Sequence, residues 1–232
     1  MSDAARAAAP DVPVRDAATM ILLRDRARDP RILVGQRGAG AVFMPSKFVF
    51  PGGALDAQDS AMRLAVPMGE ACMARLRAMA DPGLAEPLVL AGIREVWEET
   101  GLVLGAPAAG VAQAEVPADW QGFVAGGVAP SAAGMQFIFR AVTPPGRPRR
   151  FDARFFLVEA ESILGDPDDF THASSELSHL HWAPLAEVRA LDLPFITEVV
   201  LAEVSELVES GGPPESVPFF HHEDGRSWFD RL

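Results

Sequence analysis

Arg94-Glu95-Val96-Trp97-Glu98-Glu99-Thr100-Gly101 is the stretch on which the fold turns. Read as the end of a helix over 87–100, at about 100° per residue, it sets Glu98 and Glu99 within roughly 60° of Glu95. The three carboxylates share one face. Val89, Leu90, Ile93, Val96 and Trp97 fall on the other, an amphipathic pattern. Gly101 stands where a left-handed residue ends a helix. Glu98 and Glu99 therefore occupy a last turn in which the helix dipole favours cations. Like charges three and four residues apart also repel, by a few tenths of a kcal/mol per pair. A solvated acidic face is one explanation. A hard divalent cation held by carboxylate oxygens is another, and it would offset the repulsion.

The surrounding chain narrows the choice. It has 232 residues, 49% of them hydrophobic, enough for one domain with a sizeable core. A net charge of −12 argues against general binding to nucleic acid or an anionic membrane. Such a chain would also repel an anionic substrate unless a cation intervened. Cys72 is the only cysteine, so no internal disulfide forms. Its neighbours Ala71, Met73 and Leu76 mark it as a packing residue, and a reducing cytoplasm is expected. Residues 1–13, rich in Ala, Pro and Asp, read as a disordered tail without the apolar core of a signal peptide. No apolar run reaches membrane-spanning length. One domain is expected over 14–232, with an insertion at about 60–86.

Working outward, Ala17–Leu23 and Arg31–Gln36 read as a hairpin of buried strands. Residues 38–47 form a loop, and Phe48–Phe50 a short strand ending at Pro51-Gly52-Gly53. Those glycines allow close backbone approach to a ligand. Helices are expected over 68–80, 87–100, 117–125, 184–190 and 195–209. Strands are expected over 135–142, 154–159 and 177–182. The stretch PFFHHEDGRSWFDRL, 218–232, is expected as an edge strand or a lid. The mixture predicts an α+β or layered α/β/α domain. No P-loop, GxGxxG, HExxH or CxxC pattern is present.

Gly53 through Leu102 resembles the signature box of the Nudix hydrolases. That box reads G, five residues, E, seven residues, then R-E-U-x-E-E-x-G-U, with U aliphatic. Arg94, Glu95, Val96, Glu98, Glu99, Gly101 and Leu102 match its second half. Gly53 opens the first half, and Asp59 stands where the family has Glu. Between Asp59 and Arg94 lie 34 residues instead of seven. An interrupted box of this kind resembles the peroxisomal-type coenzyme A diphosphatases and their bacterial relatives, as do FMPSKFVFPGG at 43–53, TPPGRPRRFDARFF at 143–156 and LPFITEV at 193–199. The resemblance implies a Nudix-type α/β/α sandwich with a mixed sheet and a helical insertion inside the box. It implies hydrolysis of a diphosphate linkage in a small nucleotide conjugate such as coenzyme A or acyl-coenzyme A. ADP-ribose or NADH pyrophosphatase activity, or a module that senses a nucleotide without cutting it, are the alternatives.

In the family pattern Glu95, Glu98, Glu99 and the Gly53 carbonyl hold Mg²⁺ or Mn²⁺. Glu98 is a ligand or base, and Arg94 orients a box glutamate by a charge-assisted hydrogen bond. Glu176, in HASSELSHLHW, is the candidate for a second catalytic acid from a late loop. His172, His179 and His181 around it are weaker base candidates. Arg37 loosely resembles a coenzyme A contact. Arg149 and Arg150, with Arg154, suit phosphate contacts as well as they suit pairing with Asp152. The helix at 68–80 is read as shaping either substrate access or a homodimer contact. A zinc site at His221, His222 and Glu223 is the competing metal reading, although adjacent histidines on an extended segment face opposite ways.

Overall fold

The computed structural model describes residues 12–78, 81–108 and 116–232. Residues 1–11 of the expected tail, and the last two of the helix expected over 68–80, lie outside these. In chain order the strands and helices are β1 (Val14–Arg24), β2 (Arg31–Arg37), β3 (Phe48–Val49), β4 (Gly52–Ala54), α1 (Glu70–Arg77), α2 (Ala85–Thr100), β5 (Val103–Pro107), α3 (Gln121–Val124), β6 (Val128–Pro130), β7 (Gln136–Val142), β8 (Arg150–Glu159), β9 (Ile163–Leu164), β10 (Leu177–Pro184), α4 (Phe195–Ser210), β11 (Pro218–Glu223) and β12 (Arg226–Arg231).

β1 is the central strand because it is apolar on both faces. Side chains alternate across a strand, and here Ala18, Met20 and Leu22 enter one core cluster while Ile21 and Leu23 enter the other. The first cluster lies under α2, through Val89, Ile93 and Val96. The second lies under α4, through Val200, Leu201, Val204 and Leu207. The result is helix, sheet and helix in three layers. The main sheet runs β10-β2-β1-β8-β7-β11-β12, with β3 on β2 and β4 on β1. It is mixed: β1–β8 and β7–β11 are parallel, the other pairs antiparallel. In β7 the register slips between Phe137 and Phe139. Ile138 and Phe139 consequently enter the same layer.

β1 is shared end to end. Leu23 and Arg24 pair with β2, whereas Ala17–Thr19 pair with β4. This division places the glycine turn beside the first half of β1, and α2 crosses above it. Gly92 permits the close crossing: a Cβ there would press on Met20 and Ala18. Gly101 closes α2 with φ 79° and a backbone bond to Trp97, as its position predicts.

The segment between Asp59 and Arg94 is built into the core. Asp56 caps a 3-10 turn over 57–61, and Met62, Met68, Cys72, Met73 and Leu76 join the α2 cluster. Cys72 is buried packing, as expected. Ala65 and Val66 bond across to Pro130 and Ala132. Arg75 donates to the Pro214 and Glu215 carbonyls, at 2.6 and 2.7 Å.

Several expected elements differ, among them the helix expected over 117–125, which is a 3-10 turn followed by the short α3. Residues 184–190 are not a helix: β10 continues to Pro184, Leu185 bonds to Pro30 of the hairpin, and only Val188–Ala190 coil as a 3-10 turn. The helix expected at 68–80 begins at Glu70, because Gly69 is its N-cap. β8 starts at Arg150, ahead of Arg154, since Val14–Ala17 extend the parallel ladder. A small sheet, β6-β5-β9, has no counterpart among the expected elements. Among the described residues no helix is long and apolar enough to cross a membrane.

Candidate active site

α2 brings Arg94, Glu95, Glu98 and Glu99 to the turn between β3 and β4. Arg94 is the hub and only 5% exposed. Its Nε and Nη2 donate to the two oxygens of Asp59, at 2.9 and 3.2 Å. Nη1 donates to Glu95 and Glu98, each at 3.0 Å, and Nη2 to the Ala54 carbonyl at 3.2 Å. Burial works against the Arg94 charge. The hydrogen bond to Asp59 and the charges of Glu95, Asp59 and Glu98 outweigh it and hold the guanidinium protonated. Asp59 is fully buried and also accepts from the Asp56 backbone N–H, at 2.9 Å.

Glu95 packs against the turn. A Cβ at position 53 would collide with its carboxylate, so glycine there leaves room for Glu95 in this position. Burial pushes the Glu95 carboxyl up to about 7, against the pull of Arg94. Glu99 is 1% exposed and accepts the Gly52 N–H at 2.8 Å. Burial raises it well above the usual carboxylate range, and the Glu95 charge adds to that. Glu98 is raised by partial burial, offset by Arg94.

Glu176, just before β10, lies across from this group. It repels Glu95 and Glu99 electrostatically and accepts from Arg37 Nη2 at 3.0 Å. Arg37 Nε is buried and, among the described residues, has no hydrogen-bond partner. β10 bulges between Ser178 and His181, and His179 has φ 52°. Such irregularities re-aim side chains beside sites.

Not every expected residue joins the group. Arg149 is exposed, and Arg150 Nε donates to the Thr143 carbonyl at 3.1 Å; neither has a contact with the glutamates. Arg154 is committed to Asp16 and Asp152. His172 packs on Gly101, His181 rests edge-on against Phe48, and His179 contacts Ser178. His221 bonds Asp230 and His222 bonds Ser227, two separate partners, as opposite strand faces require. The zinc reading therefore has no assembled ligand set.

Among the described residues no three acidic, imidazole or thiol groups stand ready as a metal-binding set. Arg94 instead occupies the space between Glu95 and Glu98. The donor chemistry nonetheless fits a hard cation: all oxygens, two of the carboxylates buried and mutually repelling. A surface concavity of about 440 Å³ is lined by Leu185, Arg189 and α4 residues and includes none of these groups. It reflects shape alone, while the buried charge marks the glycine turn.

Sequence reasoning placed Asp59 in the box but not in the site. Its role as the bidentate partner of Arg94 depends on a contact 35 residues apart in the chain. The five-residue spacing from Gly53 is the signal that pointed to it.

No family model matches the chain. The protein "Putative nudix hydrolase 7" of Caenorhabditis elegans is 26% identical over 177 residues, which cover 72% of this chain and 50% of that protein. The chain thus spans half the length of this curated relative. The crystal structure of a NUDIX hydrolase from Alicyclobacillus acidocaldarius superposes with a TM-score of 0.63 at 27% identity, covering 86% of this chain and 97% of that one. The layered mixed sheet described above is thus shared with a protein of that name. Both likenesses support the Nudix hydrolase family for this chain.

Proposed function

We propose that the chain is a divalent-metal-dependent Nudix hydrolase that cuts a diphosphate linkage in a nucleotide conjugate. The observation that carries this reading is that α2 sets the carboxylates of Glu95 and Glu99 against the Gly52-Gly53 turn, with Glu98 beside Glu95 on the same Arg94 nitrogen. Burying that much like charge is costly. A cation explains why the arrangement exists.

Glu95, Glu98, Glu99 and the Gly53 carbonyl are the groups that would hold Mg²⁺ or Mn²⁺. When bound, such an ion neutralises diphosphate oxygens and makes a coordinated water more acidic. The protein's own part is positioning. Arg94 holds Glu95 and Glu98 on one side and Asp59 on the other. The Gly52 N–H fixes the rotamer of Glu99. Glu98, the most exposed of the three helix acids, or Glu176 would accept a proton from the attacking water. Arg37, which holds Glu176 and keeps part of its guanidinium side chain exposed, would meet a phosphate oxygen.

For the substrate, the interrupted box and the stretches 43–53, 143–156 and 193–199 favour coenzyme A or acyl-coenzyme A. ADP-ribose and NADH are the runners-up. A non-catalytic nucleotide sensor is disfavoured by retention of all three helix acids. The test is a panel of coenzyme A, acyl-coenzyme A, ADP-ribose, NADH, dinucleoside polyphosphates and dNTPs with Mg²⁺ and Mn²⁺, run on the wild type and Glu98→Gln. Metal-dependent release of nucleoside phosphates by the wild type alone is expected. Nucleotide binding without turnover under either metal would instead identify a sensor.

A further inference from the structure

The far edge of the sheet carries a surface that the hydrolytic site does not use. β12 pairs with β11 on one side and, among the described residues, with nothing on the other. The two strands are joined by Asp224-Gly225, both at positive φ, a two-residue hairpin turn. Glu223 and Arg226 flank the turn as a bonded pair. Alternation from there turns the backbone groups of Arg226, Trp228 and Asp230 inward to β11. Those of Ser227, Phe229 and Arg231 point outward.

Sheet edges in soluble proteins are usually blunted by proline, charged side chains (lysine above all), bulges or a covering element; the charges of β12 are Arg226, Asp230 and Arg231. β12 has no proline, lysine or register slip, and all six residues are exposed. Trp228 and Phe229 are 45% and 54% exposed. Arg226 has no ion pair among the described residues, while Asp230 pairs only with His221, at 2.7 Å. Arg226, Trp228 and Asp230 lie on one face of the strand.

We propose that β12 pairs antiparallel with β12 of a second copy of this chain, about a two-fold axis through Trp228. This register sets Ser227 opposite Phe229, so the outward backbone groups bond across the axis. It sets Arg226 opposite Asp230 twice, giving each unpaired arginine a carboxylate. It also brings the two Trp228 side chains together in the closely spaced, non-bonded position. A register centred on Phe229 bonds equally well but sets Trp228 opposite Asp230 and leaves Arg226 facing Leu232. Charge complementarity selects the first. Two six-residue strands make a small interface, so the expected dimer dissociates in the micromolar range.

The test is sedimentation of the full chain across a micromolar concentration series, with charge-exchange variants. Arg226→Glu and Asp230→Arg each place like charges opposite one another twice. Each should weaken the dimer at least about tenfold. The double variant R226E/D230R restores opposite charges and should recover dimerisation to within about threefold of wild type. Asp230→Arg leaves Glu223 facing Arg226 within the hairpin and so tests the interface even if Arg226→Glu frays the turn. A wild type that stays monomeric throughout the series would overturn the proposal. So would a dimer in which the double variant is as weak as the singles. Metal-dependent hydrolysis should be the same in all variants, which separates this interface from the proposed activity.

Discussion

At the residue scale, the site depends on charges that are buried in mutual contact. Arg94 was legible in the sequence as a box residue, but its main partner was not. Asp59 reaches it only because the intervening segment folds into the α2 core through Met62, Met68 and Met73. Removing one member of such a pair strands the other in a poorly solvated place. Asp59→Ala should therefore destabilise the protein by about 3–5 kcal/mol in chemical denaturation. Asp59→Asn, which keeps the shape and part of the hydrogen bonding, should cost clearly less. Gly53→Ala tests a different thing. The added methyl meets the flexible end of Glu95, not backbone, so the fold should tolerate it. Glu95 must move, and a misplaced catalytic group can cost about 100-fold in rate. Steady-state kinetics beside a thermal melt should show a large loss of activity with little loss of stability.

At the element scale, α2 was the most legible part of the chain. Its periodicity, its glutamate face and Gly101 all survive as read, with a start two residues earlier than expected. The 184–190 stretch failed because sheet pairing captured Pro184 and Leu185, a tertiary effect that local pattern does not reveal. The small β6-β5-β9 sheet was missed for a similar reason: its strands are two to five residues long and gain meaning only from their pairing. The end of α2 also predicts a pH dependence. The folded pKa of Glu95, about 7, lies above its unfolded value. The native state therefore keeps the proton longer. In the metal-free protein this contribution favours the fold at low pH and is lost as pH rises from about 4.5 through 7. Cation binding requires the same proton to leave. Mn²⁺ affinity, followed by calorimetry, should thus be about tenfold weaker at pH 6 than at pH 8.

At the scale of the whole molecule, layer order and the central hairpin followed from alternating apolar residues, but the long-range closure did not. β1 and β8 run parallel although more than a hundred residues separate them, and β11 joins β7 in the same way. Arg37 and Glu176 meet only because β10 lies beside β2. Arg149, just ahead of β8, and Arg150, its first residue, have no contact with the glutamates among the described residues, a separation that only the pairing of β8 with β1 reveals. The inserted segment is tied to the α4–β11 connection by Arg75. Arg75→Ala should cost about 1–3 kcal/mol in stability, measured by denaturation, with activity per folded molecule unchanged. A cation site built by the glutamates of α2 is tested by Glu99→Gln. Glutamine keeps the shape and can still accept the Gly52 N–H, but it removes one buried charge. Calorimetric Mn²⁺ titration alongside a metal-free thermal melt should show tight binding by the wild type. The variant should show lost binding, with a melting temperature equal to or above that of the wild type. Unchanged Mn²⁺ binding by a folded Glu99→Gln would contradict the account.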